Sequence, residues 1–336
     1  MKIALFFSVI TTLFIANSPT LFPTVVQIPV EKAKNNPSLK NITEVKLGEL
    51  LFNDPILSLD SSLSCASCHI KEFAFADTVP LSKGMNGSLG KRNAPSVMNS
   101  SARESFFWDG RANSLEHQMH FPVQDGLEMA LKFSEAVKRV SQNQFYTKAF
   151  QKVYHHHPDS ALIVKAIATF ERSLETYDSP NDRWMEDDTL NGRGLTEQQI
   201  RGRNVFRSDK AKCLDCHFTP DFTGDEFLNI GLFNGQELND SGRYLITKKM
   251  EDLGKFKVPG LRNVSVTAPY MHNGMFKTLK EVIDYYDNPA KFVKNPKNID
   301  SRLAKPLGLS AQEKSDLEAF LRSLTDDQFA TKFPNR

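Results

Sequence analysis

Apolar residues recur at helical spacing along most of the chain. In "DSALIVKAIATFERSL", Leu162, Ile163, Ala166, Ile167 and Phe170 share one face behind an N-cap at Asp159 or Ser160. "LSAQEKSDLEAFLRSL" opens with the capping-box pair Ser310 and Glu313, then carries Leu317, Phe320, Leu321 and Leu324 at i, i+3, i+4 and i+7. Thr196 and Gln199 begin another helix in "LTEQQIRGRNVF". Thr278 and Glu281 begin one in "TLKEVIDYY", where Leu279, Val282, Ile283 and Tyr286 fall on one face and Tyr285 turns away. Alternating strand patterns are few. Gly, Pro, Asn and Asp cluster between helices, as in "TPDFTGDEF" and "NGQELNDSGR". The pattern predicts a mainly α fold with long loops and a linker between Tyr177 and Gly194.

Residues 3–16 are almost wholly apolar behind Lys2, too few for a comfortable membrane span of about 20. They read as a secretory signal over residues 1–20 and imply export to the periplasm; an uncleaved membrane anchor is the competing reading. The chain, 336 residues long, has room for two domains. A net charge of +2 gives no ground for a nucleic-acid partner.

All four cysteines lie in two short stretches, "CASCH" (Cys65, Cys68, His69) and "CLDCH" (Cys213, Cys216, His217). Two residues between paired thiols make a poor disulfide framework. A zinc site built from two such pairs usually has them roughly 15–20 residues apart, whereas these lie in opposite halves of the chain. A redox dithiol would not need a histidine after both pairs. The C-x-x-C-H spacing fits covalent attachment of haem c, with His69 and His217 as proximal iron ligands. Other segments repeat in the same order: "KRNAPSV" and "LRNVSV", then "FFWDG" and "PYMHNG", each followed by a helix start, at Ser114-Leu115 and Thr278-Leu279. The halves therefore read as duplicated haem domains. "YHHHP" reads as a solvated loop, because adjacent histidines do not readily face one ion; His117 and His120 read as lying near the first haem pocket.

The motifs "CASCH", "GKRNAPSVMN", "FFWDGRANSLEHQ", "FPVQDGLEM", "AIATFERSLETYDSPNDRW", "CLDCH" and "LRNVSVTAPYMHNGMFKTLKEVIDYY" occur in this order. Together they resemble the bacterial di-haem cytochrome c peroxidase family, MauG-like enzymes included. The resemblance implies two cytochrome c-like haem domains, a peroxidatic one over 24–185 and an electron-transferring one over 186–336. It implies two covalently bound haem c and a calcium ion between them. Hydrogen peroxide would be the substrate, with electrons from a small cytochrome c or a cupredoxin, and a homodimer is compatible. Glu128 matches the distal acid–base carboxylate, Gln118 a distal amide, Pro122 a pocket wall, and Trp108 a tryptophan between the haems. Asn93, Thr267 and Pro269 match calcium-contacting positions.

Two positions depart from the best-known pattern. Where many relatives carry a distal histidine on the loop after the first motif, this chain has Met85, so an open first haem is expected, with Met85 ligation as the alternative. Tyr286 stands at the distal-ligand position of the second haem, as in MauG-like members; Met271 and Met275 are the alternatives. The expected activity is that of a cytochrome-c peroxidase-type oxidoreductase. The alternatives are a MauG-like enzyme oxidising residues of a partner protein, and a non-enzymatic di-haem electron carrier.

Overall fold

A computed structural model of the chain describes residues 39–186 and 194–330. The signal expected over residues 1–20 lies outside them. Among the described residues, no helix is long and apolar enough to cross a membrane.

Helices dominate, and their ends follow local chemistry. Helix α1 (Glu44–Asn53) is capped by Thr43, whose hydroxyl accepts from Lys46 N at 3.2 Å. Helix α2 (Leu115–Gln124) starts at Ser114 and holds Pro122 in its last turns, where proline cannot return a bond to the Gln118 carbonyl. Helices α3 (Phe133–Gln142), α4 (Gln144–Tyr154) and α5 (Ser160–Arg172) follow, the last capped by Asp159. After α6 (Pro180–Glu186) come α7 (Glu197–Phe206), the short α8 (Tyr244–Thr247), α9 (Leu279–Asp287), α10 (Ala311–Arg322) and α11 (Asp327–Ala330). The capping boxes at Thr196, Thr278 and Ser310 form as the sequence predicts. One small antiparallel pair joins β1 (Phe227–Leu228) to β2 (Phe256–Lys257).

The repeat is visible in the packing. Helix α1 crosses α5, and α7 crosses α10, each at a glycine. A methyl on Gly48 would overlap the Ala166 carbonyl and sit 2.8 Å from Phe170 Cβ; one on Gly202 would overlap the Asp316 carbonyl and sit 2.8 Å from Phe320 Cβ. Each crossing is floored by three phenylalanines. Phe52, Phe75 and Phe170 have ring centroids 5.2, 6.1 and 6.3 Å apart. Phe206, Phe222 and Phe320 repeat this at 5.2, 6.0 and 6.3 Å. One core surrounds the first triad, a second surrounds the other, and a smaller one forms around Leu232, Phe276, Tyr285 and Val293.

Two expectations need refinement. Tyr285 does turn away from the cavity that Tyr286 lines, but into a second apolar environment: it is fully buried in the third core and its hydroxyl donates to Ile230 O at 2.6 Å. Ile230 and Phe276 before α9 and Phe292 after it cover the face that periodicity alone would leave open. The span Tyr177–Gly194 is not wholly linker, because residues 180–186 are helical. Asp182 there accepts from buried Arg262 at 2.7 Å, which ties α6 to the second half. Residues 187–193 lie outside the described set.

Candidate active site

The two cysteine motifs adopt matching backbones. Cys65–Ser67 and Cys213–Asp215 are single 3-10 turns, and in each the histidine N–H donates to the first cysteine carbonyl, His69 to Cys65 at 2.9 Å and His217 to Cys213 at 3.0 Å. Each imidazole also uses Nδ1 on a phenylalanine carbonyl of its own triad: His69 on Phe75 O at 3.0 Å, His217 on Phe222 O at 2.8 Å. That contact makes Nδ1 the protonated nitrogen and leaves the Nε2 lone pair free for a metal. Burial lowers both imidazole pKa values, which keeps the rings neutral, as ligation requires. The four thiols are unpaired. Burial pushes Cys68 and Cys216 up to about 11 and Cys213 up to about 12, with Cys65 higher still.

A continuous cavity of about 1220 Å³ reaches both motifs and is lined by all four cysteines and both histidines. Small-molecule pockets are usually about 300–1,000 Å³, so this space suits more than one ligand of ordinary size. Free thiols in pairs, an accessible Nε2 beside each pair and a largely apolar lining fit two covalently held haems.

Gln118, Pro122 and Glu128 line the cavity on the side of the first motif. Gln118 and Pro122 project from α2, and Glu128 from the turn beyond it, where its N–H donates to Asp125 O at 3.0 Å. Burial raises the Glu128 pKa, Asp125 adds to this, and Arg111 opposes it. Met85 is buried beside Glu128, its N–H donating to Glu128 O at 2.9 Å, but its sulfur lies 4.0 Å from Ser62 Oγ and the residue does not line the cavity. On the side of the second motif, Tyr286 and Met271 line the cavity, whereas Met275 is exposed and outside it. Burial raises the Tyr286 pKa, so the unligated phenol stays protonated. His120 lines the cavity and packs at a tilt against Phe133, with ring centroids 4.5 Å apart; His117 is exposed, as are His155, His156 and His157.

The two halves meet at Trp108. Its Nε1 donates to Asn93 O at 2.9 Å, and its carbonyl accepts from Lys257 N at 2.8 Å. His272, at the matching place in the repeated turn, packs edge-on against it with centroids 6.5 Å apart and stacks on Phe256 at 3.6 Å. Asn93 N donates to His272 O at 2.7 Å. The Asn93 side chain donates Nδ2 to Val79 O at 3.1 Å, which turns Oδ1 to other uses. Asn93, Thr267 and Pro269 all line the cavity. Among the described residues no cluster of His, Cys, Asp and Glu could hold a metal ion, so a cation here would rest on neutral oxygens.

Partly buried ion pairs surround this seam. Arg92 bridges Asp109 at 2.6 Å and Asp240 at 2.7 Å. Arg103 reaches Asp221 and Asp225, Lys257 reaches Asp225 at 2.7 Å, and Arg262 joins Asp221 at 2.9 Å. Sequence reasoning missed these residues and also Glu171, which lines the cavity. For Glu171 the signal existed: it lies four residues after Ile167 and so continues the apolar face of α5.

A family model described as di-haem cytochrome c peroxidase matches residues 43–190. Cytochrome c551 peroxidase of Nitrosomonas europaea is 33% identical over 88% of this chain and 84% of its own length. The chain belongs to the di-haem cytochrome c peroxidase family. Membership implies two haem c groups. The family's two kinds of name both occur among its relatives. The methylamine utilization protein MauG of Methylorubrum extorquens is 34% identical over 87% of this chain and 80% of its own length. Cytochrome c peroxidase Ccp of Escherichia coli is 40% identical over 70% of this chain, and the match spans about half (51%) of that protein. A crystal structure of a MauG-like protein associated with microbial copper homeostasis superposes with a TM-score of 0.75 at 32% identity, covering 85% of this chain and 92% of the other.

Proposed function

We propose that this chain is an exported, periplasmic di-haem peroxidase that reduces hydrogen peroxide to water, with haems attached at Cys65/Cys68 and Cys213/Cys216. The observation that carries this reading is the cavity wall beside the first motif, where Glu128 is present and Met85 is not. Bound there, the haem iron supplies a site for peroxide and for the two electrons its reduction needs. The overall balance is one peroxide, two electrons and two protons to two waters. Glu128 takes the proton from one peroxide oxygen and returns it to the other, a task for which a carboxyl raised by burial is suited. The Gln118 amide hydrogen-bonds bound oxygen, and Pro122 walls off bulk water. His69 and His217 would hold the irons through Nε2.

A second haem held by Cys213, Cys216 and His217 would supply a relay for electrons from an external donor, a small cytochrome c or a cupredoxin, and Trp108 stands where the two halves meet. Tyr286 would help hold its iron, and a buried neutral phenol would give up its proton on binding. Met271 is the alternative that also lines the cavity. Asn93 Oδ1 with the Thr267 and Pro269 carbonyls would hold a calcium ion. Residues 24–185 would form the peroxidatic domain and 186–336 the electron-transferring one.

The position of Tyr286 favours a second reading, a MauG-like enzyme that withdraws electrons from residues of a partner protein. Electron paramagnetic resonance of the oxidised holoprotein tests the first. A high-spin signal beside a low-spin one, both lost on adding stoichiometric peroxide, is the expected result. Two low-spin signals that peroxide leaves unchanged, before and after one-electron reduction, would reduce the protein to a carrier of electrons.

A further inference from the structure

Glu171 lies next to the end of α5 with 4% of its surface exposed. Its Oε2 has no hydrogen-bond partner. The residue lines the cavity close enough to Cys65 to act on that thiol electrostatically. Arg172 does not satisfy it, because that guanidinium is taken in a two-pronged bond by Glu116 at 2.7 and 2.8 Å. The repeat supplies an internal comparison. Phe170 and Phe320 hold matching places in the two triads, so Glu171 corresponds to Leu321, which is also buried and also lines the cavity. An orphaned buried carboxyl is costly, and the second half shows that leucine fills the same place. A carboxyl kept there at such cost points to a use.

We propose that Glu171 is a proton-exchanging group coupled to electron entry at the first haem, an inference that rests on the attachment of haem at Cys65 and Cys68. When an electron enters that site, Glu171 passes from carboxylate to acid by taking one proton from solvent. When the electron leaves, it releases that proton. No bond to the cofactor forms or breaks. Burial raises this carboxyl to about 8, opposed by Arg172 and assisted by Glu116, so both forms are accessible near neutral pH. Those are the charges that act on it from its own helix and from α2. Glu44 on α1 is occupied by Thr169 and Lys165, and Glu135 on α3 by Lys138 and Arg139. Leu321 puts no titratable group at the matching place in the second half.

The test is a spectroelectrochemical titration of both haems in the holoenzyme between pH 6 and 9. The first haem's reduction constant should fall with rising pH, by up to tenfold per unit (about 59 mV for a one-electron couple). Glu171→Gln, which keeps the shape, and Glu171→Leu, which copies the second half, should both remove that dependence and leave the second haem unchanged. A pH-independent wild type, or a slope that survives in Glu171→Gln, would overturn the proposal. Covalent haem is counted in the same samples: fewer than two per chain would overturn the attachment reading itself.

Discussion

Gly48→Ala places a methyl group where α1 and α5 have no space for one. The added carbon would sit 2.7 Å from the Ala166 carbonyl carbon and 2.8 Å from Phe170 Cβ. Carbon atoms in good contact are about 3.5–4.0 Å apart, so the helices must open by about 1 Å. The obstacle is helical backbone, which cannot swing aside as the end of a lysine could. Overpacking of this kind costs about 1–3 kcal/mol, and more where backbone must move. Replacing glycine by alanine inside a helix returns up to about 1 kcal/mol. The net expectation is a loss of about 1–2 kcal/mol, read as a lower guanidinium midpoint for the holoprotein. Gly202→Ala should lose a similar amount, since its methyl would meet Asp316 and Phe320 in the same way. Gly126→Ala is the control, because a methyl there meets nothing within 4 Å. If Gly48→Ala and Gly126→Ala proved equally stable, the close crossing would not be what sets the distance between these helices.

Glu128→Gln should cut peroxide turnover by about 10²- to 10⁴-fold with haem content unchanged. The Glu128 pKa is raised by burial, so wild-type turnover should fail on acidification at a higher pH than an ordinary carboxylate would give, and the variant should lack that acid limb. Tyr286→Met should raise the second haem's potential and change its visible spectrum. Tyr285→Phe should leave that spectrum alone while costing about 1 kcal/mol, since it orphans the Ile230 carbonyl. Arg262→Ala removes a partner of part-buried Asp182 and of buried Asp221, which keeps Arg103, and should cost about 2 kcal/mol by denaturant unfolding. Burial pushes Asp182 up, but Arg262 and Ser179 outweigh it and hold the carboxyl below its usual value. Its stabilisation is therefore present at neutral pH and lost as pH falls through the depressed value, and Arg262→Ala should soften that acid-side decline.

Local rules made much of this legible. Asp159, Thr196, Thr278 and Ser310 cap helices because their side chains reach N–H groups that have no other partner. The spacing in "CASCH" and "CLDCH" was readable because two thiols and an imidazole must meet one cofactor edge within a turn. What stayed hidden depends on partners distant in sequence. Tyr285 is buried by Ile230 and Phe292, and no helical period in 278–286 reports their approach. Asp182 sits in a segment of linker-like composition, yet Arg262 holds it from 80 residues away. The Trp108–His272 contact requires the two repeated turns to face each other, which the repeat suggests only after the halves have been assembled.

The seam that surrounds Trp108 includes ion pairs largely shielded from water, such as Arg92 with Asp109. Dissolved ions screen exposed charges over a Debye length of about 8–10 Å but reach buried pairs much less. Raising the ionic strength should therefore leave the spacing between the two halves, and electron passage across it, nearly constant. On the proposed reading, encounter with a separate donor protein would be steered by surface charge, which carries no such protection. A salt dependence of steady-state turnover would then report on that encounter, while the internal step, followed after rapid photoreduction, keeps the same rate in dilute and concentrated buffer.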